Sequence, residues 1–90
     1  MRDLQLPGRS PVITSNGMVS TSQPLSTSAA LTVLKDGGNA MDAALAACAV
    51  QAVVEPASTG IGGDCFCLYA PADSPDIIAI NGSGRAPQAL

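Results

Sequence analysis

The chain has 90 residues, which is below the usual domain size of about 100–150 residues and excludes a second domain. Apolar residues make up 47% and aromatic residues only 2%, so small side chains that bury little area each would form the core, and we expect the segment to pack against more protein. The net charge of −3, with four lysine and arginine residues in all, excludes a basic surface for nucleic acid.

The three cysteines Cys48, Cys65 and Cys67 form an odd set without a secretory context, which favours a reducing compartment over a disulfide framework. Cys65 and Cys67 would share one face of a strand, but further ligands for a metal are lacking, so we expect buried, inert thiols and no metal. The sequence shows no signal peptide, and its longest apolar run, 43–54, is shorter than the about 20 residues of a membrane span. A cytoplasmic protein is therefore expected.

The first predicted elements are a short strand and a helix. Asn16-Gly17 lies between two β-type patches, which predicts a hairpin turn and a strand at Gly17–Thr21. Pro24 suits the first turn of a helix because its missing N–H would have no partner there. Lys35 and Gly37-Gly38 predict the end of that helix.

A second helix is predicted directly afterwards. Asn39 is a suitable N-cap, and Asp42 in the first turn favours the positive end of the helix dipole. Residues 43–54 are apolar on every face, which predicts a helix buried between layers. Glu55 ends it because the residue before Pro56 is disfavoured in the helical conformation.

The last predicted elements are a buried strand at Cys65–Tyr69 and a strand at Asp76–Ile80, joined as an antiparallel hairpin by a loop of about six residues. The order strand, helix, buried helix, hairpin predicts a layered α/β or α+β fold with an incomplete sheet.

Gly60, Gly62 and Gly63 lie in a loop that follows a helix and opens a strand. Nucleotide-binding loops have the opposite order, so we interpret these glycines as a tight backbone crossing, with a loop beside a substrate pocket as the alternative. Asp64 next to them either satisfies nearby N–H groups or serves as a functional carboxylate.

Arg85 is the only cation after Lys35 and lies in a glycine-rich loop just past a strand end. Its planar guanidinium suits a carboxylate ligand, and a solvated surface arginine is the alternative. Histidine is absent, and no threonine stands at a chain start where its own amine would act as base. The chain alone therefore has no complete active site.

Four motifs occur in an order that resembles the N-terminal part of the γ-glutamyltransferase family, also called γ-glutamyltranspeptidase or glutathione hydrolase. The motifs are Gly17-Met18-Val19-Ser20-Thr21-Ser22-Gln23-Pro24-Leu25, Leu34-Lys35-Asp36-Gly37-Gly38-Asn39-Ala40-Met41-Asp42-Ala43-Ala44, Val54-Glu55-Pro56 and Gly60-Ile61-Gly62-Gly63. The resemblance divides the chain into a leader or extended segment, 1–15, and the N-terminal portion of a large subunit, 16–90.

The resemblance implies an N-terminal fragment of an αββα N-terminal-nucleophile hydrolase sandwich. Such a precursor cuts itself, and the newly exposed threonine of the small subunit attacks a γ-glutamyl amide to form an acyl-enzyme. That threonine is not in this chain, so no catalytic residue is assigned here. The implied partners are the remainder of the precursor and a small γ-glutamyl or acyl amide, without a cofactor, metal, nucleic acid or membrane.

One departure from the family concerns substrate binding. Where members read Asp-Gly-Arg-Glu-Thr-Ala-Pro, this chain reads Asn81-Gly82-Ser83-Gly84-Arg85-Ala86-Pro87. Ser83 thus occupies the position of the arginine that holds the substrate carboxylate in the family. Arg85 lies two residues later, about 6.6 Å along an extended chain and on the same side. Both residues are candidate substrate ligands.

The glycine-rich loop departs as well, because Asp64 and Cys65 stand where members continue with glycine. Together the changes predict a divergent branch of the family. Two alternatives stay open: a related acylase acting on another acyl amide such as a glutaryl side chain, and a truncated fragment without catalytic activity.

Overall fold

The computed structural model describes Leu6, Gly8 and residues 10–89 as two helices followed by a two-stranded antiparallel hairpin. The helices are α1, Pro24–Lys35, and α2, Ala40–Val54, and the strands are β1, Cys65–Tyr69, and β2, Ile78–Gly82. The helices pack on each other and the strands pair with each other. No helix in the described ranges is long and apolar enough to cross a membrane.

Helix α1 begins and ends as predicted. Pro24 occupies its first turn, and Gln23 caps it by accepting a hydrogen bond at Oε1 from the backbone N–H of Leu25, at 2.6 Å. At the other end Gly37 has φ of 93°, the left-handed conformation that glycine adopts without steric cost, and the N–H of Gly38 donates to the carbonyl of Val33 at 2.9 Å.

Helix α2 begins with a reciprocal cap. The backbone N–H of Asp42 donates to Asn39 Oδ1 at 2.8 Å, and the backbone N–H of Asn39 donates to Asp42 Oδ2 at 3.2 Å. The predicted N-cap and first-turn acid are therefore confirmed, and both satisfy N–H groups that lack a partner within the helix. The helix ends at Val54 with Glu55 as its C-cap, as predicted.

The core lies between the two helices and consists of Ala30, Ala43 and Ala47, with Val19, Val33 and Leu34 packed against it. Among the described residues, only one face of α2 is covered in this way. On its other faces Leu45 and Cys48 are exposed, and Val53 is 78% exposed. The structure thus differs from the predicted burial on all sides because α1 supplies the packing partner for one face alone.

The predicted strand at Gly17–Thr21 is wrong. The chain bends at Ser15 and Asn16, and no strand is assigned from Gly17 to Thr21. A strand needs a neighbour for its backbone hydrogen bonds, and residues 11–14 do not pair with this segment. Val19 instead packs against the alanine core.

The predicted hairpin is confirmed, with β1 at the predicted residues and Cys65 opposite Gly82. Strand β2 begins at Ile78, two residues later than predicted, because the turn extends further along the chain. Within this turn, Ser74 Oγ accepts a hydrogen bond from the backbone N–H of Asp76 at 3.1 Å. The connection therefore comprises residues 70–77.

The predicted burial of β1 and of the thiols does not occur within the described residues. Phe66 is 65% and Leu68 80% exposed, Cys65 is exposed and Cys67 half-buried. A hairpin of two strands leaves both sheet faces open unless another layer covers them.

Removing the hydroxyl of Ser26 or of its neighbour Thr27 in α1 is expected to change stability in opposite directions. Ser26 Oγ is buried without a hydrogen-bond partner, so S26A should stabilise the helix pair by about 1 kcal/mol. Thr27 Oγ1 shares a 2.7 Å hydrogen bond with Thr21 Oγ1, so T27A should destabilise it by about 1 kcal/mol. Amide hydrogen exchange of α1 in the folded protein measures both changes. Equal effects of the two variants would contradict this assignment.

Candidate functional site

The candidate site lies at the open end of the hairpin, where β1 begins and β2 ends. The antiparallel register places Cys65 opposite Gly82, so Asp64 and Ser83 lie beside each other just beyond the strands. The backbone N–H of Gly84 donates to Asp64 Oδ1 at 2.5 Å. This hydrogen bond joins the glycine-rich loop to the segment that carries Arg85.

Ser83 is held by the residue two positions before it. Asn81 Oδ1 accepts hydrogen bonds from the backbone N–H of Ser83 at 3.2 Å and from Ser83 Oγ at 3.0 Å. The side chain of Asn81 thus holds both the backbone and the hydroxyl of Ser83. A role for Ser83 in substrate binding stays a prediction.

Arg85 follows two residues after Ser83 on the same exposed segment. Within the ranges that the structure describes, its guanidinium has no ion pair and no hydrogen bond. A guanidinium without a protein partner presents a planar set of N–H donors that matches a carboxylate. Ser83 and Arg85 are both exposed on this short segment, and their role as substrate ligands stays a prediction.

The glycine-rich loop is open in the structure. A Cβ added at Gly60, Gly62 or Gly63 would meet no described atom within 4 Å, so no described neighbour requires glycine at these three positions. The close approaches lie across the hairpin instead. A Cβ at Gly82 would come within 2.5 Å of the carbonyl oxygen of Cys65, and one at Gly84 within 3.2 Å of Asp64 Oδ1. The role of the loop glycines stays a prediction.

The structure shows which group the Asp64 carboxylate contacts, for which the sequence allowed two interpretations. Its carboxylate satisfies an N–H group, as one of the two interpretations held, but the N–H belongs to Gly84, twenty residues further along the chain. The sequence signal was the replacement of a family glycine by a residue with an acceptor. Its partner follows only once the strand register is known.

A second polar cluster joins the segment before α1 to the end of α2. Ser22 Oγ donates to Glu55 Oε2 at 2.8 Å, and Gln51 Nε2 donates to Ser22 Oγ at 2.6 Å and to Glu55 Oε2. These contacts tie the segment before α1 to the end of α2. Among the described residues no group of three or more histidine, cysteine or acidic side chains is placed to hold a metal ion.

Comparison with known proteins identifies the group to which this segment is similar. The oxamate amidohydrolase proenzyme of Klebsiella pneumoniae is 42% identical over 74 residues, which cover 82% of this chain and 14% of that protein. The glutathione hydrolase proenzyme of Bacillus subtilis strain 168 is 42% identical over 72 residues, which cover 80% of this chain and 12% of that protein. The acylase ACY 1 proenzyme of Pseudomonas sp. strain V22 is 44% identical over 55 residues, covering 61% and 10%. The chain thus spans a small part of each relative's length.

A solved structure gives the same result. The crystal structure of Helicobacter pylori γ-glutamyltranspeptidase superposes with a TM-score of 0.77 at 34% sequence identity, over 90% of this chain and 23% of that chain. The family model described as gamma-glutamyltranspeptidase matches residues 26–90, which include both helices almost entirely and the whole hairpin. This chain therefore belongs to the gamma-glutamyltranspeptidase family.

Proposed function

We propose that residues 16–90 are the N-terminal portion of an amidohydrolase that cleaves or transfers γ-glutamyl amides, with residues 1–15 as a leader or extended segment. Family membership supports amide chemistry. The observation that carries substrate recognition is Arg85, an exposed cation without a partner among the described residues.

Carboxylate recognition connects Arg85 with the relatives' substrates. A γ-glutamyl group carries a carboxylate on its α-carbon, and oxamate is itself a carboxylate. An arginine that forms two parallel hydrogen bonds with a carboxylate fixes the position of the acyl group as well as its charge. Arg85 would thereby hold the scissile amide at a defined distance from the nucleophile.

The proposed nucleophile is the N-terminal threonine of a small subunit outside this chain. Its hydroxyl oxygen forms the new bond to the amide carbonyl carbon while the α-amine of the same residue takes the hydroxyl proton. The carbon–nitrogen bond then breaks, and the leaving amine receives that proton. Water or an acceptor amine next attacks the acyl-enzyme, releasing the acid or the transferred amide and restoring the threonine.

The proposed partner of this segment is the remainder of the same precursor. The open faces of α2 and of the hairpin present apolar side chains, among them Val53, Phe66 and Leu68. In the proposed αββα sandwich, the rest of the protein would supply the layers that cover these faces, since a helix and a sheet each bury their apolar sides against another element.

A second candidate is an acylase, and the similarity to the Pseudomonas acylase proenzyme favours it. The substrate that we propose for this candidate is a glutaryl amide. Ser83 at the place of the family's arginine also indicates an altered acyl site. A glutaryl group keeps the carboxylate of a γ-glutamyl group and lacks only its amino group. Arg85 would therefore serve both substrates, and the amino group distinguishes them.

The test compares γ-glutamyl para-nitroanilide with glutaryl para-nitroanilide as substrates of the mature protein that contains this segment. We expect the higher kcat/KM for the γ-glutamyl compound. A clear preference for the glutaryl compound would favour the acylase, and cleavage of neither compound would refute the assignment to carboxylate-bearing acyl amides.

A further inference from the structure

We infer that Asp64 is a positioning residue for Arg85: by accepting the hydrogen bond of the Gly84 N–H, it fixes the segment from which Arg85 reaches the substrate carboxylate. The inference rests on the proposed function and adds a residue to it. Gly84 immediately precedes Arg85, so the 2.5 Å contact restrains the backbone next to the guanidinium-bearing residue.

The segment is restrained at two successive residues. Asn81 Oδ1 holds both the backbone and the hydroxyl of Ser83, and Asp64 Oδ1 holds the backbone of Gly84. Asn81 belongs to β2, and Asp64 directly precedes β1, so both acceptors are anchored to the paired strands. Such support from rigid elements keeps a binding side chain in its productive geometry.

Gly84 makes the close approach of the two segments possible. A Cβ there would lie 3.2 Å from Asp64 Oδ1 and 3.2 Å from the carbonyl carbon and oxygen of Gly63. A Cβ at this position would require Asp64 or Gly63 to shift by a few tenths of an ångström. The glycine and the aspartate thus form a matched pair across the open end of the hairpin.

Asp64 acts on the backbone and leaves the guanidinium available. Within the described part of the chain, Arg85 forms no ion pair with Asp64 or with any other acid. An arginine neutralised by a neighbouring carboxylate would bind a substrate carboxylate less well, because the two acceptors would compete for the same donors. Holding Gly84 places Arg85 without this competition.

The test measures two substrates with the mature protein: γ-glutamyl para-nitroanilide, and γ-aminobutyryl para-nitroanilide, which lacks the α-carboxylate. D64A should lower kcat/KM for the first about tenfold, mainly through KM, and leave the second unchanged. D64N keeps an oxygen acceptor for Gly84 and should stay within about threefold of the wild type. D64A in an R85A background should cause no further loss, because both changes remove the same interaction.

The matched control is D73A, which removes an exposed acid in the turn between β1 and β2. It should leave kcat/KM unchanged for both substrates. The positioning role would be overturned if D64A lowered kcat/KM equally for both substrates. It would also be overturned if D64N lowered kcat/KM for the γ-glutamyl substrate as much as D64A does. R85A separates the two proposals. A loss of kcat/KM for γ-glutamyl para-nitroanilide in R85A without one in D64A rejects the role of Asp64 alone. No loss in R85A rejects the roles of both residues, although a wild type that cleaves this anilide still supports the amidohydrolase. A wild type that cleaves neither anilide rejects the proposed function together with this inference.

Discussion

Replacing Arg85 with alanine is expected to lower kcat/KM of the mature protein for a γ-glutamyl amide by about 30- to 1,000-fold. Loss of a charge-assisted hydrogen-bonding pair costs about 2–4 kcal/mol of transition-state binding, which corresponds to that range. Arg85 has no ion pair or hydrogen bond in the described residues, so its removal leaves no protein partner unsatisfied. Steady-state kinetics with γ-glutamyl para-nitroanilide measure the change.

Two variants frame this experiment. R85K keeps the charge but loses the planar pair of donors, so its kcat/KM should lie between those of the wild type and R85A. K35A removes another exposed cation, in the last turn of α1, and serves as the control of equal charge change. An R85A protein with the kcat/KM of K35A would show that Arg85 does not bind the substrate.

Replacing Gly82 with alanine is expected to destabilise the hairpin by about 2–3 kcal/mol, because extra atoms in a closely packed place force the backbone to shift. The new Cβ would lie 2.5 Å from the carbonyl oxygen of Cys65, the residue opposite in the register. Both atoms belong to the backbone region of paired strands, so neither can move aside alone. Amide hydrogen exchange across β1 and β2 in the folded protein measures the loss.

The matched control for this variant is G62A. The φ of Gly62 is not positive, and a Cβ there would meet no described atom within 4 Å. Alanine should therefore leave hydrogen exchange in the hairpin unchanged. If G82A exchanged as slowly as G62A, the close approach at the Cys65 carbonyl would be contradicted.

The helices could be predicted from the sequence because their ends depend on neighbouring residues. Pro24, Asn39 with Asp42, and Gly37 each act within a few positions, through a missing donor, a reciprocal cap and a left-handed conformation. The hairpin was also predictable from its two apolar patches and the turn between them. Only its second strand was misplaced, because Ser74 extends the turn to Asp76.

Neighbouring residues alone could not show whether Gly17–Thr21 forms a strand. They also could not show whether the apolar faces are buried. A strand depends on a partner for its hydrogen bonds, and burial depends on what packs on each face. In the described residues Gly17–Thr21 has no pairing strand, while Phe66 and Leu68 are exposed. A composition with 2% aromatic residues predicts a segment that packs against more protein, and this stays a prediction.

The candidate site was predictable residue by residue but not as an arrangement. Arg85 and Ser83 were identified from the motif, whereas the contact between Asp64 and Gly84 joins residues that are distant in sequence. That contact follows from the register of Cys65 with Gly82, which no local pattern specifies.

Intact-mass analysis and N-terminal sequencing of the protein isolated from its native source test the proposed amidohydrolase most directly. We expect two chains from one precursor, one containing residues 16–90 and another beginning with threonine. A single species near 8.9 kDa, without a threonine-initiated partner, would contradict the proposed amidohydrolase and identify a fragment without catalytic activity.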